Sequence, residues 1–550
     1  MINNMAADLQ FTAADLRMQE EQNTQMIRAT EVSAAPKNTT NALIPKQKEF
    51  IRWATQMNYQ SPETVTEAKL AYFLTTQVLG RKNKSNASRT IGKATVNQYI
   101  TALTSLWKIQ VEAKVNSNST PRGPTVKAIQ KNLERTTFQT RRANFDDRGK
   151  HYQHLLTNEH REHIILVSEF FWNSPNSFAG LRNRVGHLMC EHGLLRGETV
   201  RDVELPDFFC IPMDNEGPTT CNAMVIIKGR GKMNQFGKVV FSGYYRHSNV
   251  RICCQSAIAL LLFYRFQIAG ETPDFSKSEN WYTTAMFATS PGDNKKAVSK
   301  SAHADAIAKA HKTLKIITLK VTHGGRLFGR QKLEEAGVDK VSTDVLGGWA
   351  TGAGEGCYGN GLSRPGMRAL AGFPPRENIY YLPRACIQPK QELAQMVFPF
   401  VEDWERRNEE SDGCEPNLAL KGFLRLLKSL RTVILQDTAV TMDEYPHEVY
   451  NHLIFKSAAF LEYKTELLAA IAERSSVNPI YDDIQRVLPQ LCRQISVANE
   501  NLTTSIVGAL NQSTATIVSN IKDGFSEIKL AQAATTSAFT SFHDALKKNF

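Results

Sequence analysis

Six residues between positions 196 and 358 carry side chains suited to chemistry on a phosphate. Arg196 lies in LLRGETVRDVEL, Lys228 in IIKGRGK, His323 and Arg326 in THGGR, and Trp349 and Tyr358 in GGWATGAGEGCYGNG. An arginine offers a planar fork of donors, an indole can only donate, a lysine can deliver a proton, and a tyrosine oxygen can attack. Taken singly, each has a structural alternative. HxxR pairs recur by chance, a tyrosine in a glycine-rich loop is usually a packing residue, KGRGK reads equally as a basic turn, and Arg196 could pair with Glu198 or Glu204. The signal is in the order and spacing. Arg326 precedes Trp349 by 23 residues and Tyr358 by 32, and the lysine segment falls between the two arginines.

The elements that must position these residues are mostly helical. GLRNRVGHLMCEHGLL leads into Arg196 with a helical pattern. VII and KVVF flank a Gly/Lys/Asn turn region, which predicts a β-hairpin carrying Lys228 and Lys232. RICCQSAIALLLFYRFQIAG predicts a buried helix ending at Gly270. Residues 271–300 read as an irregular loop, with helices again at 301–312 and after Thr322. Upstream, Phe50, Ile51, Ala54 and Met57 share one helical face. Ser61-Pro62-Glu63 reads as a helix start, and the helix after it buries Leu70, Phe73, Leu74 and Val78. Tyr99, Leu103, Leu106 and Trp107 line the inner face of another helix.

The whole reads as a mainly α fold with a small β-sheet or hairpin. Residues 1–40 form a mobile polar tail, with order beginning near Pro45. Residues 41–145 form a basic, all-helical domain, 150–385 the block with the six residues, and 392–485 a helical domain. In 490–550 an apolar stripe runs from Leu502 through Ile506, Leu510, Ile517, Ile521 and Phe525 to Ile528. That stripe suits a coiled coil or a helix packed on its own domain.

Composition bounds the partners. The 550 residues carry a net charge of +12, which favours a polyanion such as nucleic acid or an anionic membrane surface. The longest apolar run, Ile258–Tyr264, is too short to span a bilayer, and the N-terminus lacks the basic and apolar regions of a signal peptide. Nine cysteines without a CxxC pair suggest neither a zinc module nor a disulfide framework, and fit a reducing compartment.

The order arginine, hairpin lysine, HxxR, tryptophan, tyrosine resembles the tyrosine recombinase family. LLRGETVRDVELPDFF, the pair Arg246-His247, Pro121-Arg122-Gly123 and GGWATGAGEGCYGNGLSRPGMRALAGF look like Crypton-type transposon recombinases. They also look like the related fungal centromere-binding kinetochore protein, which lacks a working catalytic set. The resemblance implies a core-binding domain at 41–145, a recombinase catalytic domain at 150–385 and a helical C-terminal extension. It implies that Tyr358 attacks a DNA phosphate and becomes joined to the 3′ side. Arg196 and Arg326 stabilise the phosphate oxygens, His323 and Trp349 donate hydrogen bonds, and Lys228 protonates the leaving 5′ oxygen, with Lys232 its competitor. No metal, ATP or other cofactor is implied. The glycines around His323 and Tyr358 suggest a nucleophile on a mobile segment.

Double-stranded DNA is the expected partner and the nucleus the expected compartment, with a homo-oligomer, dimer or tetramer, assembled on DNA. Phosphate-contact candidates are Arg81, Lys82, Lys84, Arg122, Lys127, Lys131 and Lys232, from charge runs whose structural alternative is a solvated surface. Two other readings stay open: a catalytically inactive DNA-binding or scaffold protein of centromere or transcription, and a topoisomerase-like relaxing enzyme.

Overall fold

The computed structural model describes residues 37–83, 90–144, 158–229, 239–318, 321–349, 361–410 and 416–477, with short stretches between 17–30 and 529–541. The chain divides into two units, Met1–Arg148 and Gly149–Phe550.

The first unit holds helices α1 (Lys37–Gln56), α2 (Glu67–Phe73), α3 (Lys93–Glu112) and α4 (Pro124–Ala143). Helix α1 starts before Pro45 and carries it inside. Its inner face is Phe50, Trp53 and Ala54, while Met57, expected there, is exposed. Phe50, Trp53, Phe73 and Tyr99 interlock at ring-centroid distances of 5.2–5.9 Å, mostly tilted or edge-on, which suits the aromatic quadrupole. The helix start expected at Ser61-Pro62 lies instead at Thr66, whose hydroxyl accepts from Lys69 N at 3.2 Å. Ser61 and Pro62 form a turn, with Thr64 N bonded to Ser61 O. Glu67 crosses to α4 and accepts from Thr125 N and Val126 N at its start. A Cβ on Gly123 would sit 2.0 Å from that carboxylate, which explains the glycine of Pro121-Arg122-Gly123.

The second unit is mainly helical with two small antiparallel sheets. Helices α5 (Asn158–Trp172), α6 (Ser177–His192) and α7 (Gly197–Asp202) precede β1 (Phe208–Met213), β2 (Cys221–Ile227) and β3 (Phe241–Tyr244). The sheet runs β1-β2-β3, with Phe208 opposite Ile226 and Val225 opposite Gly243. The expected hairpin is therefore two strands of three. The buried helix α8 (Cys254–Phe263) follows. The stretch 271–300, expected to be irregular, contains a second hairpin, β4 (Ala288–Ser290) and β5 (Asp293–Ala297). Its strands are short and largely exposed, so no alternating pattern announces them.

Helices α9 (Lys300–Thr313), α10 (Gly324–Glu335), α11 (Lys340–Gly347) and α12 (Arg364–Leu370) complete the middle of this unit. Then come α13 (Val401–Glu409), α14 (Leu418–Thr441) and α15 (Ala458–Val477). The segment 392–485, expected as a separate domain, does not stand apart in its described part. Leu420, Phe423, Leu427 and Ile434 of α14 share one core with Leu181, Phe208, Leu261 and Phe263. Each buried side chain of this size contributes about 1.5–3 kcal/mol, so this shared core ties α14 to the middle of the unit. The apolar stripe Leu502–Ile528 lies outside the described residues. Among those described, no helix is long and apolar enough to cross a membrane.

Candidate active site

The turn that presents Arg196 is built from tight packing. Helix α6 closes at Gly193, where a Cβ would fall 2.0 Å from the Tyr244 hydroxyl. Leu194 then takes a left-handed conformation, φ 51°, which costs a non-glycine residue about 1–2 kcal/mol. The side chains of Leu194 and Leu195 are both buried and hold the turn. Arg196 follows as the residue that caps the start of α7. Glu204 is engaged in a reciprocal cap with Asp207.

Lys228 continues β2, its backbone N bonding Val240 O at 2.7 Å. Its side chain reaches the last turn of α11, where Nζ donates to Leu346 O at 3.3 Å. Arg326, on the first turn of α10, donates from Nη2 to Gly347 O at 2.6 Å and from Nη1 to Leu194 O at 2.5 Å. The final carbonyls of a helix lack intrahelical partners and form the negative end of its dipole, so two cations meet there for a physical reason. The same guanidinium ties the strained Leu194 turn to the end of α11. Gly348 closes that helix in the left-handed region, φ 59°. Trp349 comes next, with Arg326 4.3 Å and Arg330 5.3 Å from its ring centroid. A Cβ on Gly347 would lie 2.0 Å from the indole.

The electrostatics of this cluster are one-sided. Burial first, then Arg326 and Arg196, lowers the pKa of Lys228 to about 7. Burial first, then Arg196, lowers that of Arg326 to about 10. Arg326 and Arg196, the charged neighbours that lower these values, are both cations. Such an arrangement favours an anion, and its protonated amine is acidic enough to give up a proton near neutrality.

The family model described as "Centromere DNA-binding protein complex CBF3 subunit, domain 2" matches residues 82–461. This chain belongs to that family. The match covers most of the chain and spans Arg196, Lys228, His323, Arg326 and Trp349. Among solved structures, "Ndc10: a platform for inner kinetochore assembly in budding yeast" is 11% identical, covering 80% of this chain and 96% of that one, with a TM-score of 0.33. "Flpe-Holliday Junction Complex" is 12% identical, covering 74% and 99%, with a TM-score of 0.35. "FLP Recombinase-Holliday Junction Complex I" is 13% identical over the same shares, with a TM-score of 0.34. Superpositions this loose establish no shared activity. No curated protein matches the chain.

Within the family domain, Arg196, Lys228, Arg326 and Trp349 come together as described. His323 caps the start of α10 three residues before Arg326 and is exposed. Tyr358, Lys232 and Lys84 lie outside the described residues. Gly325 of THGGR and Gly329 have a packing explanation, while the segment bearing Tyr358, expected to be mobile, lies outside the described residues. A Cβ on Gly325 would meet Glu191 Oε1 at 2.8 Å, and one on Gly329 would meet Leu194 Cδ2 at 2.3 Å. Positions four apart on α10 are thus flattened against the end of α6.

Arg81 is not the open phosphate contact expected of it. It bonds Glu49 at 2.6 Å and the Tyr99 hydroxyl at 2.9 Å inside the first unit. Lys82, Arg122, Lys127 and Lys131 are exposed. The Arg246-His247 motif is structural. Arg246 and Arg384 both bond Asp437 Oδ1, at 2.5 and 2.6 Å, joining the segment after β3 to α14. Sequence reasoning missed two residues beside the cluster. Arg330 follows Arg326 by four, a spacing that could have flagged it. Glu191, its pKa raised by burial to about 7 against the opposing effect of Lys332, carried no signal in the sequence.

Proposed function

We propose that the chain is a site-specific DNA recombinase or transposase of Crypton type that cuts and rejoins duplex DNA through a phosphotyrosine. Tyr358, giving up its hydroxyl proton to solvent, attacks the scissile phosphorus and stays bonded to the 3′ phosphate, while the bond to the 5′ oxygen breaks and that oxygen takes a proton from Lys228. Resealing reverses these steps, so the bond energy retained on Tyr358 makes ATP unnecessary, and no metal is called on. Arg196 and Arg326 meet the charge on the non-bridging oxygens, where fixed donors contribute most. His323 donates a further hydrogen bond. Trp349 lies beneath the Arg326 guanidinium and orients it, in addition to donating from its indole nitrogen.

The observation that carries this reading is the meeting of Arg196, Lys228 and Arg326 at the end of α11, just ahead of the segment bearing Tyr358. The lowered pKa of Lys228 alters the expected mechanism in one respect. DNA does not have to contend with an amine of ordinary basicity; its phosphate charge raises the pKa and loads the proton, and transfer to the 5′ oxygen relieves the crowding of cations. Lys82, Arg122, Lys127 and Lys131 grip the backbone, and the protein works in the nucleus as an oligomer on DNA.

A second reading, a non-catalytic DNA-binding scaffold, is favoured by the family's own description as a centromere DNA-binding subunit. A suicide duplex carrying the chain's target separates the two. Wild-type protein gives a covalent adduct that survives denaturant and Tyr358→Phe gives none. Tight binding by wild-type protein with no adduct overturns the recombinase reading and leaves the scaffold.

A further inference from the structure

A second group of cations lies in the same unit, away from the α11 cluster. Ser168 and Trp172 on α5, Arg184 on α6, Arg251 before α8, and Tyr445 and Tyr450 after α14 surround a small cleft. Arg184 is 5% exposed. Its Nε donates to Ser168 Oγ at 3.0 Å and its Nη2 to Arg251 O at 2.8 Å, which fix the plane of the guanidinium. Its face lies 4.9 Å from the Trp172 ring centroid. Arg251 pairs with Glu169 and stacks on Tyr445, 4.3 Å to the centroid.

Among the described residues, four buried atoms on residues lining this cleft have no hydrogen-bond partner: the nitrogens Arg184 Nη1, Trp172 Nε1 and Arg251 Nε, and the oxygen Glu169 Oε1, whose carboxylate is ion-paired with Arg251. The three nitrogens can only donate. Leaving a buried donor unmatched costs about 1–3 kcal/mol, more when it is charged, so three around one space are not a neutral packing detail. The charges point the same way: Arg184 and Arg251 against Glu169 leave one positive charge.

We infer that this cleft is a binding site for a tetrahedral oxyanion, the phosphate group of a small molecule. Three donors around one space match the several acceptor oxygens of a phosphate better than the two of a carboxylate. Arg184 and Trp172 are recessed, which favours a small ligand over the backbone of a stiff duplex. The walls come from α5, α6, α8 and the residues after α14, so an occupant links the middle of the unit to its C-terminal helices. The site shares no residue with the α11 cluster and stands whether or not the chain cleaves DNA.

The full-length chain is titrated with inorganic phosphate, and with sulfate, at constant ionic strength, following heat of binding and Tm against a chloride reference. Wild-type protein binds both anions, and Tm rises by roughly 3 °C or more at about a hundredfold excess over Kd. Arg184→Met, which removes a buried cation without a carboxylate partner and should fold, loses the response. Arg251→Gln, on the half-exposed rim, weakens binding by about tenfold or more. A short duplex, titrated in parallel, identifies the source of the phosphate. Unchanged duplex affinity in Arg184→Met supports the small molecule, and a parallel loss makes the occupant a DNA phosphate and overturns the small-molecule assignment. No anion response in wild-type protein, or equal responses in wild type and Arg184→Met, overturns the site.

Discussion

Two clusters of cationic side chains in the second unit differ in how their charges act on one another. Arg246 and Arg384 converge on Asp437, and Arg368 bonds Glu216 at 2.7 Å. Burial opposes the charge on Asp437, but Arg246 and Arg384 outweigh it and hold the carboxyl below its usual value. At the end of α11, by contrast, Lys228 and Arg326 each donate to a backbone carbonyl, and burial together with Arg326 and Arg196 lowers the basicity of the amine. A buried arginine with its counter-ion is architecture. Cations that lower one another's basicity form a place that favours an anion.

The contrast has consequences of opposite sign. The largest concerns catalysis. Lys228→Ala should slow adduct formation by about 10²–10⁴-fold. A substrate with sulfur in place of the bridging 5′ oxygen, whose leaving group needs no proton, should restore it. Failure of that rescue, with rescue of Lys232→Ala instead, would transfer the role to Lys232. The pH profile carries the same information. Cleavage needs the protonated amine, so the rate should fall as pH rises past an inflection at or above about 7, where bound phosphate moves it upward.

Stability comes next. Asp437→Asn strands two buried arginines and should cost about 3–5 kcal/mol in denaturant unfolding. Lys228→Met should cost nothing or stabilise. The folded lysine titrates below the unfolded one, so the unfolded chain binds more protons between about pH 7 and the ordinary lysine value of ~10.4. Wild-type stability should therefore rise with pH over that window relative to Lys228→Met. Equal losses from Asp437→Asn and Lys228→Met would abolish the distinction between the clusters.

Gly329→Ala tests the packing between α6 and α10. Its methyl would press on Leu194 and on Glu191 O, 3.0 Å away, and should cost about 1–3 kcal/mol while lowering adduct formation through the Arg196 turn. The smallest effects fall in the first unit. Arg81→Gln should cost at most about 1 kcal/mol, as for a half-exposed pair, with little change in DNA affinity. Lys127→Ala or Lys131→Ala should leave stability alone and reduce the salt slope of duplex binding by about one each.

Much of the site was legible in the linear chain because chemistry constrains residue type and order. The arginines, the hairpin lysine, HxxR and Trp349 were named from spacing, and the long amphipathic helices from periodicity. What misled was local. Ser61-Pro62 has the composition of a helix start, but Thr66 supplies the cap that the packing uses. Arg81 belongs to a charge run, yet Glu49, 32 residues away, claims it. Gly325 of THGGR gave no packing signal because the helix end it packs against, at Glu191, is distant in sequence.

By itself, then, the sequence determined the mainly helical class, the basic character and the candidate residues, since periodicity, charge and side-chain chemistry are properties of neighbours along the chain. Tertiary structure decided which cations would be neutralised. That depends on what folding brings beside them: Asp437 comes to Arg246 from 191 residues away, whereas burial, Arg326 and Arg196 lower the basicity of Lys228. It also decided that α14 completes the core of the middle block, because a helix's apolar face names no partner until another surface arrives to cover it.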